Sequence, residues 1–180
     1  MKRLIHSTGL LLLSLALASC GSVSNNSPAP GAGTAGVISK TYSKVLIQDF
    51  TAGPDSGADA AVGSKFAGVI ASAITSAKPG TQIVRQGKAD ASTLVIGGEV
   101  TRFVEGNAAL RLLVGMGAGS SYFDATIRIS DGGNGSALNT LKADKNSWGL
   151  GGGLAASQTV DTFMSEAAKK TAATVVPYVK

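Results

Sequence analysis

Three glycines at alternating positions, Gly115, Gly117 and Gly119, are the first candidate for chemistry in this sequence of 180 residues. Glycine-rich loops bind phosphate when their backbone N–H groups meet it at the start of a helix. A dinucleotide-binding loop needs the spacing G-x-G-x-x-G before a helix, whereas the spacing here is G-x-G-x-G and the following SSYFDATIRI alternates like a strand. A P-loop would need Gly-Lys-Ser/Thr, which the sequence lacks. We therefore predict no nucleotide or other cofactor. The glycines are expected to allow close backbone packing in a strand-edge loop, within a sheet or against a neighbouring subunit.

Histidine and cysteine chemistry is excluded for most of the chain. The sequence has one histidine, His6, and one cysteine, Cys20, both within its first twenty residues. They are assigned below to a leader and to an anchor. The folded domain is therefore expected to lack Ser-His-Asp and Cys-His catalysis, ordinary zinc sites and disulfides.

Carboxylates are the remaining groups with catalytic potential, because a polysaccharide hydrolase needs only two of them. The candidates are Asp49, Glu99, Glu105, Asp124 and Asp161. No spacing identifies a pair; Asp161 suits the first turn of a helix, and Asp124 alternates onto a polar face. A carboxylate-only hydrolase is therefore the less favoured function, and we predict that the protein is not an enzyme.

The first nineteen residues are typical of a secretory signal peptide. Lys2 and Arg3 precede an apolar run at residues 10–18, which leads into small residues. A transmembrane helix would need about twenty apolar residues to cross the bilayer. We predict that residues 1–19 are removed.

The end of this segment, LASC at residues 17–20, resembles the bacterial lipobox. The resemblance implies that a diacylglyceryl group is attached to Cys20, which becomes the first residue of the mature chain. Two or more acyl chains give stable anchoring, whereas a single chain gives marginal binding. Gly21 stands where an aspartate would favour retention in the inner membrane of a Gram-negative host. We therefore expect an outer-membrane protein, lipid-anchored at Cys20, whose domain faces the periplasm.

A flexible tether and a weakly charged domain are predicted after the cysteine. Residues 20–40 are rich in Gly, Ser, Pro and Ala, and a coil of this length spans about 25 Å. The whole chain carries a net charge of +5; without Lys2 and Arg3, 14 basic (16 − 2) and 11 acidic residues leave +3. The basic residues are scattered and do not interleave with aromatic ones, so no nucleic-acid partner is expected.

Periodicity predicts the elements that position these residues. Strands are expected at residues 44–50, 81–86, 92–105 and 122–131, with a weaker fifth strand through residues 141–148 after the turn DGGNGS. A helix closed by KPG at residues 78–80 has an inner stripe of Val62, Phe66, Val69, Ala73 and Ala77, widened by Ile70 and Ile74. A closing helix from about residue 157 has an inner face of Val160, Phe163, Met164, Ala167, Thr171 and Val175. Residues 41–180 are thus predicted to form a two-layer α/β (α+β) domain, with a mixed sheet of about five strands on two main helices.

A family resemblance covers the glycine-rich region. The segment GGEVTRFVEGNAALRLLVGMGAGSSYFDATIRISDGGNG resembles the bacterial domain of unknown function numbered 4410, which occurs in envelope lipoproteins. The matching positions are Gly98, Glu99, Val100, Phe103, Gly106, Asn107, Arg111, Gly115, Gly117, Gly119 and Asp131. The resemblance extends more loosely over about residues 44–179. Gly106, Asn107, Arg111 and the three alternating glycines are therefore the candidate interaction or structural motif.

A more distant similarity leads to the alternative function. The curli secretion lipoprotein also has an arginine–aromatic–glycine segment before an alternating strand, and both groups resemble the amino-terminal fold of the Tol translocation protein. The resemblance implies a non-enzymatic binding or interaction module in the cell envelope, with an envelope protein or further copies of itself as partner. The alternative is an oligomeric secretion-channel component. That alternative is weaker, because residues 106–121 are barely long enough for one membrane hairpin.

Arg111 is the one charged residue in an apolar stretch. We expect its guanidinium to pair with a carboxylate or a backbone carbonyl, and Arg111→Ala to destabilise the domain. An unchanged melting temperature with loss of partner binding would instead assign Arg111 to an interaction.

Overall fold

A computed structural model describes residues 21–25, 40–114, 118–146 and 158–180 of the chain, and only the backbone for residues 21–25, 111, 112 and 146. The strands are β1 (Gly21–Asn25), β2 (Lys44–Ile47), β3 (Thr51–Ala52), β4 (Gln82–Val84), β5 (Thr93–Val104), β6 (Tyr122–Asp131) and β7 (Ala137–Asn146). The helices are α1 (Ala60–Ala77), α2 (Ala108–Leu113) and α3 (Val160–Val175), the last continuing into a 3-10 turn at Val176–Tyr178. The predicted signal peptide, Cys20, Gly115 and Gly117 lie outside the described residues.

The strands form one mixed sheet in the order β1-β7-β6-β5-β2-β4, with the short β3 beside the distal half of β5. β2 runs parallel to β4 and β5, whereas β5, β6, β7 and β1 are successively antiparallel. α1 and α3 pack against each other and against the sheet. The predicted two-layer α/β architecture is confirmed.

Alternation in β6 and the inner face of α3 agree with the sequence. The four apolar residues predicted for one side of β6, Phe123, Ala125, Ile127 and Ile129, are all buried. The six predicted inner residues of α3 are buried as well. α3 begins at Val160, where the hydroxyl of Thr159 accepts from the backbone N–H of Thr162, and Asp161 lies in its first turn.

The inner face of α1 differs from its predicted stripe. The buried residues are Gly63, Phe66, Ala67, Ile70 and Ile74, while Val62, Val69 and Ala73 are half-buried and Ala77 is exposed. The cause is Gly63, whose missing side chain lets the helix backbone approach the Phe50 carbonyl; a Cβ there would overlap that oxygen. The helix is therefore rotated so that its glycine faces the sheet. α1 is long and apolar enough to cross a membrane by length and composition alone, but its buried face belongs to the core of this domain.

Two strands were not predicted, so the sheet has seven strands where about five were expected. β3 is only two residues long, below the length at which alternation is visible. β1 lies within the stretch predicted as a flexible tether, and it pairs with β7 from Gly21 opposite Lys145 to Asn25 opposite Leu141. Pairing at a sheet edge uses backbone N–H and C=O groups, which the polar composition GSVSN does not reveal. The first residues after Cys20 therefore belong to the sheet.

Candidate interaction site between β5 and β6

The chain between β5 and β6, residues 105–121, is closed at its base by two hydrogen bonds. The backbone N–H of Asn107 donates to the carbonyl oxygen of Gly119 over 2.7 Å. The hydroxyl of Ser121, a buried residue, donates to the carbonyl oxygen of Glu105 over 2.6 Å. We call these four residues the neck and the whole of residues 105–121 the β5–β6 connection.

Two glycines of the family motif at this base adopt conformations that disfavour a side chain. Gly106 has φ = 75° and Gly119 has φ = 68°, in the left-handed region. Space is restricted as well, because a Cβ on Gly119 would overlap the Asn107 carbonyl and lie 2.8 Å from the Cβ of Leu110. Close packing at Gly119 thus occurs within the connection itself, and for Gly115 and Gly117, outside the described residues, packing within the sheet or against a neighbouring subunit stays a prediction.

Asn107 also starts α2. Its side-chain oxygen Oδ1 accepts from the backbone N–H of Ala109 over 3.0 Å and of Leu110 over 3.2 Å. Asparagine is favoured at helix starts because it satisfies N–H groups that have no partner within the helix. One residue therefore both closes the neck and orients the helix above it.

Large apolar side chains are exposed to solvent next to the neck. Among the described residues, the large hydrophobic side chains that are exposed are Val104 (41%), Leu110 (46%), Leu113 (83%) and Val114 (61%). All four lie at the end of β5 or in the connection that follows it. We call these four residues the apolar cap. Exposed apolar patches are typical of surfaces that contact another protein or a membrane.

The structure brings together some of the predicted motif residues. Gly106, Asn107 and Gly119 meet at the base of the connection. The backbone of Arg111 lies in α2, and its side chain is outside the described residues, so its expected partner stays a prediction. Sequence reasoning missed Ser121 in the neck and the whole apolar cap. The signal available for the cap was the run LLV at residues 112–114 directly before the glycines.

Asp131, the last matching position, has a structural role. Its carboxylate accepts from Lys40 Nζ over 2.5 Å, from the Tyr42 hydroxyl over 2.8 Å and from the backbone N–H of Gly133 over 2.7 Å. The hydrogen bonds from Lys40 and Tyr42 lower the pKa of Asp131 to about 2. Burial, with the neighbouring carboxylate, raises the pKa of Tyr42 to about 12. Asp131 thus joins the β6–β7 turn to the chain that leads into β2.

Three of the five carboxylates considered for hydrolysis lie beside other charged groups, each in a different part of the fold. Asp49 pairs with Arg85 near the end of β2, and Asp161 pairs with Lys65 over 2.6 Å. Asp124 lies opposite Asp144 on the neighbouring strand. Burial, followed by the charge of Asp144, raises the pKa of Asp124.

Glu99 and Glu105 are the remaining two candidates. Glu99 lies beside Gly53, and a Cβ on Gly53 would overlap the Glu99 carboxylate. Glu105 and Asp161 line the same open cleft, at the end of β5 and the start of α3. Asp161 is exposed and is directed to Lys65.

The fold and the connection define a two-layer α/β domain that exposes apolar side chains on a closed loop. The chain belongs to the family described as domain of unknown function (DUF4410), whose model matches residues 45–175. The recognition of this family from its glycine-rich region is confirmed.

Solved structures share the fold at low sequence identity. One is a dodecamer of a single-substitution variant of PelC from Paraburkholderia phytofirmans, with 15% identity and a TM-score of 0.52, covering 88% of this chain and 96% of that one. Another is the PelC dodecamer from the same organism in a second crystal form, with 14% identity and a TM-score of 0.53, covering 89% and 99%. A search of curated proteins gives no match. At these identities the likeness establishes the fold alone.

Proposed function

We propose that this protein is an outer-membrane lipoprotein, anchored through Cys20, whose domain faces the periplasm as a non-enzymatic interaction module. The observation that carries the proposal is the apolar cap held on its hydrogen-bonded neck. Exposing Leu113 and Val114 to water stabilises nothing within the domain, since burial is what makes such side chains favourable. A contact outside the domain, with another protein or with lipid, gives these side chains a role.

The arrangement of polar groups supports a binding role over a catalytic one. Asp161, which lines a cleft with Glu105, is directed to Lys65, and Asp49 pairs with Arg85 elsewhere in the molecule. Asp131, a carboxylate of the family motif, holds two chain segments together. Asn107 and Asp131, two polar residues of the motif, thus maintain the shape of the domain, as expected of a module that presents a surface.

The anchor is tested on the full-length protein expressed in a Gram-negative host. The mature chain should begin at Cys20, and its intact mass should include the acyl chains. The protein should fractionate with the outer membrane. Cys20→Ala should abolish the lipid-modified mass and remove the protein from that fraction, whereas Ser22→Ala should change neither. A wild-type chain with an unmodified Cys20 thiol would contradict the proposal.

Self-assembly is the second candidate, in the form of an oligomeric secretion-channel component. Two observations favour it: the PelC proteins that share the fold are dodecamers, and α1 has Lys65 as its sole charged residue. Charged residues are common on solvated helix faces, so an exposed face with a single charge suits close packing on another subunit. The native mass of the lipidated protein, extracted in mild detergent, decides between the two functions. A large closed ring supports the channel component, and a monomer or dimer contradicts it.

A further inference from the structure

The pairing register shows which end of the sheet receives the lipid anchor. Gly21 lies opposite Lys145 on β7, and Lys145 lies opposite Phe123 on β6, which in turn faces Phe103 on β5. Cys20 is the residue directly before Gly21. The anchor therefore leaves the domain at the end of the sheet where β5 finishes and β6 begins.

The β5–β6 connection is at that same end. It leaves β5 after Val104 and returns to β6 at Tyr122, and these two residues pair with each other. Adjacent strands are about 4.8 Å apart, so the start of β1 lies only about 10–14 Å across the sheet from the base of the connection. The opposite end of β6 and β7 carries the turn GGNGS at residues 132–136, which has no large apolar side chain.

The pairing of β1 removes the separation that a flexible tether would provide. A free coil over residues 20–40 would let the domain stand about 25 Å from the bilayer. With Gly21 already in the sheet, no tether separates Cys20 from the domain. Acyl chains on Cys20 would therefore bring this end of the sheet, with the apolar cap, directly to the membrane surface.

The side chains next to the cap also suit the boundary between lipid and water. Tyr122 is half-buried, and the Arg102 guanidinium lies over its ring, 3.6 Å from the centroid. Tyrosine and arginine combine an apolar body with a polar tip, and tyrosine is enriched at membrane interfaces. Exposed Leu113 and Val114 in the connection, with Arg102 and Tyr122 at the strand ends from which it starts and to which it returns, are residue types typical of a lipid-facing surface.

We propose that the apolar cap enters the surface of the lipid bilayer beside the acyl chains of Cys20, giving the domain a second membrane contact and a fixed orientation. The occupant of the cap is the membrane, because the anchor leaves the domain at the same end of the sheet as the cap. The inference rests on the proposed lipidation of Cys20. The membrane contact is made by the four side chains of the apolar cap at the interface and needs no spanning hairpin.

Site-specific fluorescence on the full-length lipidated protein tests the proposal. The sequence has a single cysteine, so Leu113→Cys introduces the only free thiol once Cys20 is acylated. Ser136→Cys, in the exposed turn at the opposite end of the sheet, is the matched control. Each variant is labelled with an environment-sensitive fluorophore and reconstituted into vesicles of phosphatidylethanolamine with a minor fraction of phosphatidylglycerol. Nitroxide-bearing lipids then serve as membrane-borne quenchers.

The label at residue 113 should shift to shorter wavelength in vesicles and be quenched by the nitroxide lipids, while the label at residue 136 should keep its aqueous spectrum. High salt should leave this difference unchanged, because the contact is apolar. Equal, aqueous behaviour of both labels in vesicles would overturn the membrane contact. A label at residue 113 that is shielded in detergent as well as in vesicles, without quenching by nitroxide lipid, would assign the cap to a second copy and overturn it too.

The unsubstituted protein distinguishes failure of this inference from failure of the anchor. It should take up no label when Cys20 carries its acyl chains. Labelling of Cys20 in the parent chain would contradict the lipoprotein assignment itself. If the parent chain is acylated and takes up no label, while the label on Leu113→Cys keeps its aqueous spectrum, only the membrane contact of the cap is contradicted.

Discussion

The backbone N–H of Asn107 lies 2.7 Å from the carbonyl oxygen of Gly119, and this hydrogen bond closes the base of the connection between β5 and β6. The same asparagine caps α2 through its side chain. Asn107 and Gly119, both residues of the family motif, therefore support α2 and position Leu113 at its end, although neither is itself a large apolar residue. A surface can be maintained in this way through the residues beneath it.

Gly119→Ala is expected to disrupt that support. The substitution places a Cβ against the Asn107 carbonyl and adds a side chain at positive φ, and we expect a loss of about 3 kcal/mol in the free energy of unfolding. Gly135→Ala is the control, since Gly135 has φ = 72° with nothing within 4 Å of a built Cβ. It should cost only about 1 kcal/mol, for backbone conformation alone.

Urea unfolding of both variants measures the difference, and amide exchange at Asn107 locates it. The Asn107 amide should exchange faster than in the wild type in Gly119→Ala and at the wild-type rate in Gly135→Ala. Equal losses in the two variants would show that the contact with Asn107 contributes nothing and that conformation accounts for the whole effect.

Truncating the apolar cap should leave stability intact. Leu113 is 83% exposed and Leu141 is fully buried, so the same Leu→Ala change tests burial at two positions. Leu113→Ala should change the free energy of unfolding by less than about 0.5 kcal/mol. Leu141→Ala should cost about 3 kcal/mol, through lost transfer energy and a cavity. Denaturant titration checks both values, and a large loss in Leu113→Ala would mean that the leucine packs within its own domain.

Much of the fold follows from periodicity, because burial on one face leaves a repeat in the sequence. The alternation from Phe123 to Ile129 and the helical spacing from Phe163 to Val175 each mark one buried face. α2 had no such signal, since it is six residues long and exposes Leu110 and Leu113. A helix without a buried stripe carries no amphipathic pattern to read.

Part of the neck could be located from the sequence, but the contact that closes it could not. Gly106, Asn107 and Gly119 stand out by residue type, yet the hydrogen bond between Asn107 and Gly119 exists only after β5 and β6 have paired. β1 was not predicted for a related reason. The edge strand β7 pairs with it through backbone N–H and C=O groups, and GSVSN has the composition of a linker. Contacts made by the backbone leave little trace in side-chain identity.

Two glycines of α1 should respond to alanine in opposite directions. A Cβ on Gly63 would overlap the Phe50 carbonyl, so Gly63→Ala must push the helix off the sheet, and a loss of about 3 kcal/mol or more is expected. A Cβ on Gly68 would meet only the Arg85 guanidinium at 3.5 Å, an ordinary contact. Gly68→Ala should therefore stabilise the protein by about 0.5–1 kcal/mol, since alanine favours helix more than glycine does.

Thermal unfolding of the two α1 variants decides this prediction. A lower melting temperature for Gly63→Ala and a higher one for Gly68→Ala are expected. Similar shifts of the same sign would show that helix propensity, and not the approach of α1 to Phe50, controls both positions.

Acid stability should depend on Asp131. Its pKa falls from 3.8 in the reference state to about 2 in the folded protein, because Lys40 and Tyr42 hydrogen-bond to the charged carboxylate. The stabilisation is therefore fully present above about pH 4 and is lost as the pH falls towards 2, where the folded form also takes up the proton. Asp131→Asn should lower the free energy of unfolding at neutral pH and make its decline between pH 4 and pH 2 shallower. Some decline should persist, because hydrogen bonds from Ser92 and Thr93 also lower the pKa of Asp90.

The control for Asp131 is Asp55→Asn, at an exposed position with φ = 57°, a conformation that asparagine also tolerates. Urea titrations at a series of pH values give the free energy of unfolding for each chain. The Asp55 variant should follow the wild-type slope between pH 4 and pH 2, and the Asp131 variant should depart from it. If both variants keep the wild-type slope, the hydrogen bonds from Lys40 and Tyr42 do not hold Asp131 in its charged form, and its role in joining the β6–β7 turn to the start of β2 does not depend on charge.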